Sequence, residues 1–191
     1  MRLLMIAPPG AGKGTQAARI AEHFGIEHIA SGNLLRDEVR AGTELGRKAK
    51  RYLDRGDLVP DDLVLAMVSD RVKQGTDDGG GGFVLDGFPR TVEQARAAEE
   101  LLAGPGAPID AVIYLDVNHD ESVRRLIGRA GQEGRTDDEE QTIRHRLDVF
   151  ETLTKQLVNY YADRGLLIRI DGEQPIDNVT EEILKQLATR T

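Results

Sequence analysis

The sequence has no cysteine. Disulfides and cysteine-ligated zinc are therefore excluded. Basic charge is in deficit: 25 Lys and Arg stand against 33 Asp and Glu, a net charge of −8. That balance argues against a broad nucleic-acid-binding face. Long apolar runs are missing too. None approaches the roughly 20 residues needed to span a bilayer. The opening apolar stretch is short and runs into a Pro-Gly loop rather than a cleavage site, unlike a signal peptide. The four histidines (His23, His28, His119, His145) include no pair at metal-ligand helix spacing, so they are assigned to satisfied or exposed positions. What remains is a chain expected to be cytoplasmic. Its 191 residues and 39% hydrophobic content suffice for one domain with a real core.

Five short apolar runs read as strands: Leu3–Ala7, Ile26–Ala30, Phe83–Asp86, Ala111–Val117 and Leu166–Ile170. They are too apolar to have one wet face, so both faces should be covered. Helical patterns separate them at Gln16–Phe24, Val92–Leu102 and Glu121–Gly128. A long helix is expected over about residues 138–163, with Ile143, Leu147, Phe150, Leu153, Leu157 and Tyr161 on its apolar stripe. A last helix is expected over Asn178–Leu187, with Asn178 and Glu181 at capping-box spacing. Strand and helix alternate, which implies an α/β fold with a five-stranded parallel sheet between helical layers. Two segments break the alternation. Residues 31–75 hold only helical patterns (Leu34–Val39, Leu45–Leu53, Leu63–Val72) and suggest an inserted helical lobe. Residues 129–137, RAGQEGRTD, form a polar, glycine-rich link. The Gly79–Gly82 run reads as a flexible loop before the third strand.

The first apolar run leads into APPGAGKGT and then a helix. Glycines allow backbone N–H groups to converge on an anion, and the helix adds its positive end. Lys13 adds a mobile charge for β and γ phosphates. Gly10, Ala11, Gly12, Lys13, Gly14 and Thr15 are thus the expected phosphate grip. The match to the strict phosphate-loop pattern is imperfect: Ala7 stands where the first glycine would be, and Thr15 falls one place late.

Three further stretches carry chemistry. Ser31-Gly-Asn-Leu-Leu-Arg36 begins the inserted segment, with Ser31 placed to cap a helix. In GFVLDGFPRTVEQ, residues 82–94, a buried strand ends in Asp86, where a carboxylate suits a hydrated magnesium ion. Arg90 follows in a turn set by Pro89, and Thr91 with Gln94 fits a capping box. Arg125 and Arg129 fall at i, i+4, a mildly destabilising pairing. With Arg135 and Arg146 they point to a bound anion. Asp137 and Asp138 fit an N-cap pair for the long helix equally well.

GAGKGTQ, S-G-N-x-x-R and DGFPR followed four places later by glutamine together resemble the adenylate kinase family, over essentially the whole chain. The short link resembles its short-lid form, in keeping with the lack of cysteine. The resemblance implies a core of residues 1–30, 76–128 and 138–191, a monophosphate-binding lobe of residues 31–75 and a lid of residues 129–137. It implies ATP at the phosphate loop with Arg125, Arg129 and Gln174. It implies AMP at Ser31, Arg36, Asp57, Leu58, Val59, Gly87, Phe88, Pro89, Arg90, Gln94, Arg135 and Arg146, with Gln94 reading the adenine edge. Lys13, Asp86, Arg90, Arg129, Arg135 and Arg146 are the implied catalytic set. Magnesium would enter with ATP, held through waters near Asp86 with no direct protein ligand, and no zinc is implied.

The implied reaction is ATP + AMP = 2 ADP in a monomer that takes nucleotides and no nucleic acid or membrane. The attacking phosphate oxygen is already ionised, so no general base is required, and catalysis reduces to alignment and charge neutralisation. Exclusion of water predicts closure of lobe and lid, with Gly42, Gly46, Gly56, Gly128, Gly131 and Gly134 as candidate hinges. Two alternatives stay open: a UMP or CMP kinase, against which Ser31 and Gln94 speak, and a nucleotide-binding relative with weakened catalysis. The second is motivated by Ala7 and by Asn33, which stands where the family carries aspartate.

Overall fold

The computed structural model describes residues 1–77, 81–102, 109–133 and 139–190. Five strands form one parallel sheet: β1 (Arg2–Ile6), β2 (Glu27–Ala30), β3 (Phe83–Asp86), β4 (Ala111–Asp116) and β5 (Leu167–Asp171), in the order β2-β3-β1-β4-β5. β3 is buried along its whole length, and β1 and β4 are buried except at Arg2 and Asp116, since helices cover both faces. Two hydrophobic clusters follow from the strand period of two. Leu4, Ile6, Leu85 and Val112 point to one face, and Leu3, Met5, Val84 and Ile113 to the other. Each such side chain contributes about 1.5–3 kcal/mol on burial.

Helices α1 (Lys13–Phe24) and α9 (Ile176–Ala188) pack on the second face. Gln16, buried between them, donates from Nε2 to the Ile176 carbonyl at 2.9 Å and accepts at Oε1 from Thr180 Oγ1 at 2.8 Å. Between β2 and β3 run α2 (Ser31–Ala41), α3 (Glu44–Leu53) and α4 (Asp61–Asp77), the all-helical insertion that the strand spacing implied. Next come α5 (Val92–Leu102), α6 (His119–Glu133), α7 (Glu140–Val149) and α8 (Gln156–Ala162). Among the described residues, no helix is long and apolar enough to cross a membrane.

Several expectations need correction. The long helix is two helices joined by a π turn, Phe150–Thr154, in which Lys155 N–H bonds to the Phe150 carbonyl. A wider turn shifts the phase of the stripe, so Leu153 is exposed while Thr154 is buried. The polar link begins later than expected, because α6 continues through Gly128 and Gly131 to Glu133. Helix α9 starts at Ile176 behind Pro175, which places Asn178 inside the first turn rather than at the cap. Ser31 is the first helical residue and not a cap; its Oγ donates to the Asp86 carbonyl at 3.2 Å. Of the candidate hinges, Gly42 and Gly56 have positive φ, but Gly46 is pressed against the Glu38 backbone.

Candidate active site

The strands are parallel, so their carboxyl ends share one edge, the usual place for ligands in such sheets. The loop after β1 and the N-terminus of α1 form the floor of a cleft of about 460 Å³ there. The first amides of α1 have no intrahelical partners and face an anion with a positive dipole end. Glycine is obligatory at position 10. Its φ is +85°, and a Cβ would lie 2.6 Å from the Ser122 carbonyl and 2.8 Å from Leu126 Cγ. Ala7 is buried; it does not line this cleft but borders a smaller adjoining pocket with Lys13, Arg90 and Arg146.

Lys13 Nζ lies 2.6 Å from Asp86 Oδ1. Burial alone would raise the Asp86 carboxyl, but the Lys13 ammonium and the imidazole of His28 outweigh it and hold the group well below the ordinary carboxylate range. His28 Nε2 is 3.5 Å from Asp86 Oδ2 and lines the cleft. The sequence alone assigns this histidine only a satisfied or exposed position. The available signal was its place two residues before the end of β2, beside β3, with which β2 pairs in register.

Arg36, Arg90 and Arg146 arrive on α2, the loop after β3, and α7, and all three line the cleft. Arg36 Nη2 donates to Asn33 Oδ1 at 2.7 Å. Asn33 therefore orients the guanidinium without neutralising it. Arg90 Nε donates to the Gly87 carbonyl at 2.8 Å. Gly87 has φ +81°, and a side chain there would meet Ser31 Oγ at 2.8 Å.

The same three arginines also line an adjoining, narrower pocket of about 60 Å³ with Ser31, Asp57, Leu58, Val59, Gly87 and Gln94. Gln94 N–H donates to Thr91 Oγ1 at 3.1 Å, half of the expected capping box. Its side chain does not complete that box. Oε1 accepts from the Arg90 backbone N–H at 2.7 Å, and Nε2 donates to Asp61 Oδ1 at 2.6 Å. The Asp57 carboxylate is engaged by His145 Nε2 at 2.7 Å and Arg55 Nε at 3.1 Å. Pro89 borders a third small pocket, beside Lys13 and the π turn. Phe88 turns into the core and lines none of these pockets.

On the other side of the loop, Arg125 and Gln174 border a pocket with Gly12 and Thr15. Arg125 is not left to repel a neighbour: Nε meets Glu121 Oε1 at 2.5 Å and Nη1 donates to the Gly172 carbonyl at 3.0 Å. Hydrogen bonds from Arg124 and Arg125 hold the Glu121 carboxyl down at about 2. Arg129 falls on α6, but its side chain lies outside the described residues, as do Arg135, Asp137 and Asp138. Among the described residues, no group of three or more His, Cys, Asp or Glu is placed to hold a metal.

A glycine-rich loop at the carboxyl edge of a parallel sheet, with Lys13 and three arginines from separate elements lining two adjoining pockets, defines the class as a P-loop α/β protein with a cationic cleft suited to phosphate groups. Comparison with known proteins narrows the class. The adenylate kinase family model matches residues 5–166. The chain is 50% identical over 186 residues to the adenylate kinase of Kocuria rhizophila, covering 97% of this chain and 98% of the relative. It is 48% identical over 190 residues to that of Thermobifida fusca, covering both in full. It is 47% identical over 186 residues to that of Leptospira biflexa, covering 97% and 99%. The chain belongs to the adenylate kinase family, and its activity is that family's phosphotransfer.

Proposed function

We propose that the enzyme carries the terminal phosphoryl group of ATP to AMP, reversibly, with the donor on the phosphate loop and the acceptor in the pocket that holds Gln94. One observation carries this reading: Arg36, Arg90 and Arg146 line both pockets, so they face the place where two phosphate chains would meet. Lys13 and the loop amides hold the donor's β and γ phosphates, and Arg36 and Arg90 hold the acceptor phosphate. Arg146, with Arg129 and Arg135, surrounds the group in transit, and the Arg125 guanidinium and Gln174 border the donor base. Aligning two bound reactants and neutralising their charge supplies the rate, because the acceptor oxygen needs no deprotonation.

Asp86, held ionised at the end of β3, suits a cation kept by phosphate oxygens and water. Magnesium bound there would offset charge on the donor phosphates. Lys13 exchanges Asp86 for a phosphate as the donor arrives. The helical insertion of residues 31–75 and the link of residues 129–137 act as lobe and lid over the core and exclude water. The enzyme works as a cytoplasmic monomer.

A coupled steady-state assay with ATP and each of AMP, UMP and CMP, with and without magnesium, tests this. Magnesium-dependent turnover with AMP at least about tenfold above the others is expected. Faster use of UMP or CMP, or nucleotide binding with background turnover, would refute it.

A further inference from the structure

Gln94 is 3% exposed and lines the pocket that carries Arg36, Arg90 and Arg146. Buried amides take partners whose chemistry fits. Oε1 accepts from the Arg90 backbone N–H, and Nε2 donates to the carboxylate of Asp61, the first residue of α4. A backbone N–H only donates and an ionised carboxylate only accepts. Turned over by half a rotation, the amide would set Nε2 against N–H and Oε1 against carboxylate, two repulsive contacts in place of two hydrogen bonds. After the two bonds are made, one Nε2 hydrogen and one Oε1 lone pair remain among the described contacts, in a fixed order.

We propose that Asp61 is a positioning residue that sets base selection in the acceptor pocket by locking the Gln94 amide. The inference rests on the reading of that pocket as the acceptor nucleotide's site. A 6-aminopurine presents an N6–H donor beside an N1 acceptor, which the remaining lone pair and hydrogen match. A 6-oxopurine presents an O6 acceptor beside an N1–H donor, the reverse order. A free amide would serve either base by turning over; a locked one serves only the amino base. Uracil, with O4 beside N3–H, is rejected in the same way. Cytosine carries the amino order and passes this filter, so Gln94 speaks against a uridylate acceptor and not, as the sequence suggested, against a cytidylate one. The lock therefore sorts amino from oxo bases, and the apolar walls at Leu35 and Val64 are left to sort purine from pyrimidine. Sites built around buried hydrogen bonds reject a mispaired ligand by large factors, because polar edges are left unmatched away from water.

The test is kcat/KM for AMP against inosine monophosphate at saturating ATP, in the whole enzyme. Asp61→Ala and Asp61→Ser are both too short to accept the hydrogen bond from Nε2. Both should lower the AMP preference by about tenfold or more, with KM for ATP and the thermal melt little changed. Asp61→Asn, whose Oδ1 accepts the same bond, should keep the preference within about threefold. A preference unchanged within about twofold in both short variants overturns the lock. So does an Asp61→Asn enzyme as indiscriminate as Asp61→Ala. Gln94→Ala separates the two levels of the argument. If it abolishes the preference while the Asp61 variants do not, only the lock falls. If it leaves the preference intact, the base does not meet this amide and the acceptor-site reading falls with it.

Discussion

Replacing Arg90 with alanine should lower kcat/KM by about a hundredfold or more while leaving the fold in place. The two effects separate in the structure. The backbone N–H of Arg90 holds Gln94 Oε1 and survives the substitution, so the turn and the start of α5 keep their anchor. The side chain loses its Nε bond to the Gly87 carbonyl, worth about 1 kcal/mol. In a chain of this size that lowers Tm by about 2–4 °C. Arg90 also lines both of the pockets proposed to take the nucleotides. Removing one donor aimed at developing charge costs about 3–4 kcal/mol of transition-state stabilisation. The kinetic loss thus exceeds the folding loss several-fold. A coupled assay with ATP and AMP reads the first, and a thermal melt of the same preparation reads the second. Arg90→Lys keeps the charge but not the fork, and should recover less than about tenfold of the loss. A fall in kcat/KM of under about threefold for Arg90→Ala, or one matched by loss of folded protein, would refute the reasoning.

Two further substitutions probe the donor side. Asp86→Asn leaves Lys13 without its carboxylate partner and should cost about 1–3 kcal/mol, the lower end reflecting the partial exposure of Lys13. The folded Asp86 carboxyl lies below its unfolded value of about 3.9, so its contribution is present above that pH and drains away as pH falls toward the folded value. The stability gap between wild type and Asp86→Asn should therefore close on acidification from about pH 6 to about pH 2 in denaturant melts; a gap that widens would contradict the ion pair. Gly10→Ala combines a positive φ with contacts under 3 Å to Ser122 and Leu126. It should cost about 2–4 kcal/mol and weaken ATP binding in titration calorimetry; an unchanged melt would mean that the loop does not need this approach.

The strands and the phosphate loop were legible because their signals are local. An apolar run such as Phe83–Asp86 cannot hide, and glycines before Lys13 have few other uses. The insertion was legible as well, since helical periodicity filled the space between two strands. What escaped depends on partners distant in the chain. Nothing near Gln94 announces Asp61, and nothing near His28 announces Asp86. Arg125 and Arg129 read as mutual repulsion, whereas Glu121, one turn back on the same helix, already answers Arg125. The π turn escaped because Phe150 and Leu153 keep helical spacing in the sequence while the backbone adds a residue to the turn. The family resemblance places Asp57 at the acceptor pocket, which it lines, while the engagement of its carboxylate by His145 and Arg55 depends on residues that no local pattern links to it.

The three arginines common to both pockets amount to a party wall. Each arginine lines both rooms, so if the two nucleotides occupy them as proposed, whatever one does to the wall is felt by the other. Linkage makes that influence mutual: the factor by which ATP changes the affinity for AMP must equal the factor by which AMP changes the affinity for ATP. Titrations run in either order have to close the same thermodynamic square, and a residue of the wall, once replaced, must disturb both sides of it.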